Sequence, residues 1–189
     1  MVRGSLIDTA LYAYAAAIII YRVVEGAIMR RTGSFSRRPK QDWTMGLIAV
    51  PYYLVMVGPL LEYLYFEWRP QPIHVGLGAV CLAAATVLRA KGHLDLGSGF
   101  SMAIERAAGS ELVETGLYAT IRHPLYLGNV ALFVGCPLFL AARLSWVFTV
   151  LGFVGVLVRI QIEERFLMEQ LEGYEAYRER TWALIPGIY

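Results

Sequence analysis

The stretch RHPLYLGNVALFVGCPLFLAARLSWVFTVLGFVGVLVRIQIEER, residues 122–165, decides the fold. It holds two apolar runs, 124–142 and 144–163, separated only around Ala141 to Ser145. About 20 helical residues at 1.5 Å each cross a ~30 Å hydrocarbon core, so each run predicts a membrane helix. So short a connection makes the two helices antiparallel neighbours. Their far ends then lie together, Arg122 and His123 on one and Arg159, Glu163 and Glu164 on the other. Pro124 suits a first helical position, where a fixed φ helps and a missing N–H costs nothing. The free N–H groups and positive dipole end of that helix, beside Arg122 and His123, predict an anion site at a membrane surface.

Three more apolar runs precede this pair, at 5–29, 43–66 and 72–90. The chain is 57% hydrophobic and 17% charged, with a mean hydropathy of +0.51. A soluble domain carries about one quarter charged residues, spread over its surface. Here the charges cluster between long uncharged runs. The expected fold is an all-α integral membrane protein of about five transmembrane helices. It forms a single membrane domain over 1–189, with N-terminal spans in 1–84 and a functional core in 85–189. Pro51 and Pro59 predict a kink in the second helix, tolerated if neighbours satisfy the freed carbonyls. No small-residue cleavage site follows Arg3 and Asp8, so the first helix is expected to stay as a signal anchor.

The basic residues orient the chain. Arg30, Arg31, Arg37, Arg38 and Lys40 lie in one connection, Arg89, Lys91, Arg106 and Arg122 in another, and Arg159, Arg165, Arg178 and Arg180 in the tail. Five spans put all three regions on one face, against Arg3, Arg69 and Arg143 on the other. The positive-inside rule then places the N-terminus outside and the C-terminus in the cytoplasm. Residues 91–121 are too long for a bare connection. A small hairpin there, Phe100–Ile104 with Glu111–Thr115 around Ala108-Gly109-Ser110, is one reading. The tail 164–180 reads as a helix, with Phe166, Leu167, Leu171, Tyr174 and Tyr177 near helical spacing.

Several functions are disfavoured. Cys81 and Cys136 sit inside apolar runs as small hydrophobes. His74, His93 and His123 share no metal-ligand spacing, so no metal is expected. No basic stripe interleaved with aromatics suggests nucleic acid. No Walker-type loop is present, and Leu96-Gly97-Ser98-Gly99-Phe100 has no strand before it.

The ionisable residues at membrane depth are the functional candidates. Arg122 and His123 could simply anchor a positive-inside edge, but Tyr126 and Gly128 follow within two turns, and Gly128 would admit another group close to the backbone. Arg159 and Glu163 share a helix face at i,i+4, whereas Glu164 turns about 100° away. One carboxylate is thus left for ribose hydroxyls, a cation or an acceptor. Tyr174 and Tyr177 either pack at the interface or line a pocket. Asp8, Glu25 and Glu62 receive no role.

Taken in order, these motifs form a pattern. Leu88-Arg89, Leu96-Gly97 with Phe100-Ser101, Leu112-Val113-Glu114-Thr115-Gly116-Leu117-Tyr118, Arg122-His123-Pro124-Leu125-Tyr126-Leu127-Gly128, Glu163-Glu164, Tyr174 with Tyr177, and Ile185-Pro186 run through 85–189. This set resembles the isoprenylcysteine carboxyl methyltransferase and phospholipid methyltransferase superfamily of membrane enzymes. The resemblance implies S-adenosylmethionine as methyl donor, in a cytoplasmic pocket built from the last two helices and the C-terminal tail. It implies cofactor binding by Tyr118, Arg122, His123, Tyr126, Gly128, Glu164, Tyr174 and Tyr177, and catalysis by Arg159, Glu163 and Glu164. Arg122 and His123 would meet the carboxylate end of the donor. A lipophilic acceptor would enter sideways from the bilayer lipids. Leu117 stands where the family often has proline, Gly173 directly precedes Tyr174, and Trp182-Ala183 replaces a frequent arginine.

Methyl transfer is an in-line displacement that needs alignment above all. A carboxylate acceptor requires no base and could be oriented by Arg159, whereas an amine would use Glu163 or Glu164. Prenylated cysteine, phosphatidylethanolamine (phospholipid N-methylation), an isoprenoid acid and a small thiol are all compatible acceptors. The competing class is a sterol-reductase-like membrane oxidoreductase using NADPH, which resembles the chain through the Arg-His-Pro start and the closing Ile185 to Tyr189. The Glu163-Glu164 pair favours the methyltransferase.

Overall fold

In the computed structural model residues 2–33, 43–66, 68–97 and 112–189 are described, 2–8 as backbone only. Each of the five apolar runs becomes a helix: α1 Val2–Arg31, α2 Thr44–Phe66, α3 Pro72–Leu96, α4 Pro124–Phe139 and α5 Trp146–Gln170. A short α6, Tyr174–Glu179, follows, and a 3-10 turn, Gly116–Ala119, precedes α4. The expected turn around Ala108-Gly109-Ser110 lies outside the described residues, as does the basic segment 34–42.

Among the described residues, four helices are long and apolar enough to cross a membrane: α1 from Thr9, α2, α3 and α5. Only 17–33% of their most apolar windows is buried within the protein. On α2, Val50, Leu54, Val57, Leu61 and Leu64 point outward, as do Val147, Val150, Leu151 and Val154 on α5. Water would not tolerate so continuous an apolar exterior, and lipid does. The protein is an integral membrane protein. The fourth expected span is shorter: α4 has 16 residues, about 24 Å at 1.5 Å per residue.

Inside the bundle α3 and α4 approach closely. A Cβ on Gly78 would lie 2.5 Å from the Phe139 Cα, so only glycine lets these backbones meet. Three prolines sit within the described helices; the bundle gives one of the freed carbonyls a new donor and sets a hydroxyl beside another. Pro59 leaves the Val55 carbonyl without its helical donor. The Tyr14 hydroxyl lies over it at 3.5 Å while donating to Met56 O at 2.8 Å. Pro137 likewise frees the Phe133 carbonyl, and Thr149 Oγ1 of α5 donates to it at 2.6 Å. α2 runs through both of its prolines as one helix.

Thr149→Val keeps the volume and removes that donor. It is expected to destabilise the protein by about 1–3 kcal/mol, the cost of a buried carbonyl left unsatisfied. Thr149→Ser should cost far less; equal thermal unfolding of the two variants in detergent would refute this role.

The α4–α5 hairpin is tied by a residue given no role from sequence. Glu62 accepts the N–H groups of Arg143 (2.8 Å), Leu144 (2.9 Å) and Ser145 (2.5 Å), and also the Ser145 hydroxyl. These donors belong to the turn that leads into α5 and to its N-cap residue, so a buried carboxylate at the positive end of the helix fixes the hairpin. Ala141 takes a left-handed φ of 53° in this turn. The predicted tail helix is corrected: α5 runs on to Gln170, then Gly173 (φ 81°) breaks the path before α6. Only glycine enters that conformation without strain.

Candidate functional site

Three pieces of chain converge at the end of the bundle where α4 begins. They are the start of α4, the last turns of α5, and the tail beyond α6. The tail folds back as a strap. Trp182 N–H donates to Thr120 O (2.9 Å), Arg122 N–H to Trp182 O (2.8 Å) and His123 N–H to Ala183 O (3.1 Å). Ile121 and Trp182 thus form a parallel bridge just before Pro124.

Glu164 occupies the position next to Arg122 and His123. Its Oε1 lies 2.7 Å from Arg122 Nε and 3.2 Å from His123 Nε2, and its Oε2 lies 3.4 Å from Arg178 Nε. A carboxylate can only accept, so His123 donates from Nε2. Arg122 also donates through one amino group to the carbonyls of Arg178 (3.0 Å) and Thr181. One guanidinium therefore clamps helix α5, α6 and the strap. The anion expected at the helix start is, in this structure, the chain's own Glu164.

A second layer lies beside it. Tyr126 donates to Glu163 Oε2 at 2.6 Å and accepts from Arg159 Nε at 2.8 Å. The tyrosine hydroxyl bridges the i,i+4 pair expected on α5. Arg159 is buried in the bundle and also donates to Thr44 Oγ1 of α2 at 2.7 Å. The His123 ring stacks on Tyr126, with centroids 5.5 Å apart. Gly128 does admit a close neighbour: a Cβ there would sit 2.6 Å from Arg89 Cγ. The group that fills the space is the chain's own arginine from α3.

The tyrosines complete the enclosure. Tyr177 donates to the Tyr118 carbonyl at 2.7 Å, and Tyr174 packs edge-on against Tyr177 with centroids 5.7 Å apart. The Tyr174 hydroxyl is buried with no hydrogen-bond partner among the described residues. Burial pushes the Tyr177 phenol up to about 12 and raises those of Tyr118 and Tyr174 as well. All three stay neutral donors at physiological pH. Beside these rings, the guanidinium groups of Arg122 and Arg178 face the carboxylate of Glu164, and Arg180, over the Tyr177 ring, pairs with Glu114 at 2.6 Å. No group of His, Cys, Asp or Glu among the described residues could hold a metal ion.

Known proteins resemble this chain in sequence and in fold. The sequence model of the Isoprenylcysteine carboxyl methyltransferase (ICMT) family matches residues 77–169. Methanethiol S-methyltransferase of Mycobacterium tuberculosis is 30% identical over 186 residues, covering 86% of this chain and 73% of that protein. The chain belongs to the isoprenylcysteine carboxyl methyltransferase family. Protein-S-isoprenylcysteine O-methyltransferase of Dictyostelium discoideum is 27% identical over 121 residues, 60% of this chain and 49% of that protein. The solved structure of a eukaryotic intramembrane Ras methyltransferase, ICMT, superposes with a TM-score of 0.58 at 26% identity. That match covers 74% of this chain, which spans about half (52%) of the solved one. The protein is accordingly a membrane methyltransferase.

Within the family, the local departures acquire physical reasons. Leu117 uses its N–H, donating to Asp95 Oδ2 at 2.8 Å, which proline could not do. Gly173 provides the left-handed entry into α6. Trp182 and Ala183 act through backbone groups in the strap, so their side chains leave little trace in a motif. Of the predicted site residues, Arg122, His123 and Glu164 form one cluster, Tyr126, Arg159 and Glu163 another, and Tyr118, Tyr174 and Tyr177 a third. Gly128 faces Arg89. Sequence reasoning missed Thr44, Arg178 and Thr181. Arg178 and Thr181 flank the recognisable tail motif; Thr44, 115 residues from Arg159, carries no signal of its own.

Proposed function

We propose that the chain transfers the methyl group of S-adenosylmethionine to a lipophilic acceptor, an isoprenylcysteine-type carboxylate or related small lipid. The observation that carries this reading is the buried Tyr174 hydroxyl, unpartnered among the described residues, beside a Glu164 carboxylate that faces two guanidinium groups, those of Arg122 and Arg178. An unpaired buried donor is costly and suits a ligand that accepts from it. The residues present fit the donor molecule. Tyr174 offers a hydrogen bond and the tyrosine rings offer faces to an adenine or a cation. Arg122 and His123 hold Glu164 and attract a second carboxylate.

S-adenosylmethionine, when bound, supplies a methyl group on a sulfonium, open to in-line displacement. The protein's part is alignment. Arg122 and His123 position Glu164, Tyr126 fixes Glu163 against Arg159, and the strap excludes water from that side. Arg159 would orient an anionic acceptor, and Glu163 would take the proton of a neutral one. A second reading, a small alkyl thiol as acceptor, is favoured by the M. tuberculosis relative, named a methanethiol S-methyltransferase. We further propose that α4 completes a fifth span. The basic segments then place the site on the cytoplasmic face and the N-terminus outside, within one domain over 1–189.

Binding and turnover test this. The detergent-purified protein should bind S-adenosylhomocysteine at micromolar concentration and show no NADPH binding by calorimetry; the reverse would sink the methyltransferase mechanism drawn here. With labelled donor, N-acetyl-S-farnesylcysteine should accept methyl. Transfer to methanethiol alone would replace the lipophilic reading by the thiol one, and transfer to phosphatidylethanolamine alone would contradict both.

A further inference from the structure

A cavity opens at the opposite end of the bundle, where the α2–α3 connection meets α3, α4 and α5 around the hairpin turn. Its volume is about 490 Å³, within the range of small-molecule sites. Trp68, Arg69, His74, Leu138, Arg143 and Trp146 supply its walls. The Arg143 guanidinium rests 4.8 Å from the centre of the Trp68 ring. Arg69 and Arg143 are both exposed, and the cavity walls hold no carboxylate among the described residues. The nearby buried carboxylate, Glu62, is turned to the backbone: it accepts the N–H groups of Arg143, Leu144 and Ser145. This fixes the Arg143 backbone while leaving the positive charge of its side chain at the cavity. His74 accepts the Gln71 N–H at Nδ1 (3.2 Å), so its Nε2 carries the proton and is a donor.

We propose that this cavity binds the phosphate of an anionic membrane lipid. Two guanidinium groups and an imidazole N–H form the donor set that phosphate oxygens take. Two tryptophans at the end of a membrane bundle mark headgroup depth. Leu138 and the neighbouring apolar residues give the first carbons of the acyl chains a wall. The methyl-transfer cluster lies at the other end of α4 and α5, so the two sites are separate.

The test uses the full chain, purified in detergent and examined by native mass spectrometry with added lipid. Phosphatidylglycerol should be retained at least tenfold more than phosphatidylcholine. The double variant Arg69→Gln/Arg143→Gln should abolish that preference, and Arg143→Lys should keep part of it. Methyl transfer by the double variant in phosphatidylcholine nanodiscs should match the parent, which shows that it is folded. Equal retention of the two lipids by the parent, or an unchanged preference in the double variant, overturns the proposal. So does inorganic phosphate that displaces phosphatidylglycerol at equal concentration, because the site would then serve the free ion.

Discussion

Glu25→Ala is expected to cost about 3–5 kcal/mol of stability, the loss that follows when one partner of a buried ion pair is removed. Glu25 is buried on α1 and forms an ion pair with Arg89 of α3. It also accepts from Arg22 (2.6 Å) and from the Tyr52 hydroxyl of α2 (3.1 Å). Arg89 continues the network into α4, donating to Asn129 Oδ1 at 2.5 Å and to Leu125 O at 3.4 Å. One carboxylate therefore balances two guanidinium groups at the junction of four helices. Without it, Arg22 and Arg89 face each other across Tyr52, within 6 Å of whose ring both lie. Glu25→Gln should cost less, because its amide oxygen still accepts. Glu25→Ala/Arg89→Leu should recover much of the loss, because it removes the uncompensated charge and fills the space with apolar atoms. Thermal unfolding in detergent gives the ranking. A Glu25→Ala variant within ~0.5 kcal/mol of the parent, the range of ordinary surface changes, would show that the network carries little stability. Because Arg89 reaches the first turn of α4 and fills the space over Gly128, Glu25→Ala should also lower methyl transfer.

The contrast between this network and the apolar runs shows what a sequence yields. Helices α1 to α5 were legible because lipid imposes a simple rule, long apolar segments with internally satisfied backbones. The hairpin was legible from the brevity of the Ala141–Ser145 break. It brings Arg122 and His123 to Glu164 as expected. The pair of Glu25 and Arg89 spans 64 positions, and nothing in either local pattern names the other. The strap was hidden for a different reason. Its contacts run through backbone groups of Trp182 and Ala183, which any residue except proline could supply. The break at Gly173 was masked because apolar residues keep helical spacing across it. In the candidate site the residue types were legible, yet their partners were internal ones. Glu164 fills the anion position, and Arg89 fills the gap over Gly128.

Glu164→Ala should lower kcat/KM for methyl transfer at least a hundredfold, equivalent to about 2.7 kcal/mol of transition-state stabilisation. Among the described residues, this carboxylate is the group that Arg122 and His123, just before α4, and Arg178 of α6 contact together. Removing it leaves Arg122, only 9% exposed, without its ionic partner. Arg122 would then keep its hydrogen bonds to the carbonyls of Arg178 and Thr181 and to the Thr181 hydroxyl, and the strap that they hold would open more readily. Glu164→Gln retains an oxygen for His123 but not the charge for Arg122, so its loss should be intermediate. If Glu164 acts through this clamp, Arg122→Ala should be about as damaging, and the double variant little worse than either single one. A stability readout separates the causes. Trypsin should cut the tail of Glu164→Ala faster than that of the parent, while overall thermal unfolding shifts less than for Glu25→Ala. Additive losses in the double variant would mean that the two residues act independently, Glu164 directly on the reacting molecules and Arg122 elsewhere. Full activity in Glu164→Ala would remove this carboxylate from the site altogether and leave Glu163, held by Tyr126 and Arg159, as the acidic group that serves the reaction.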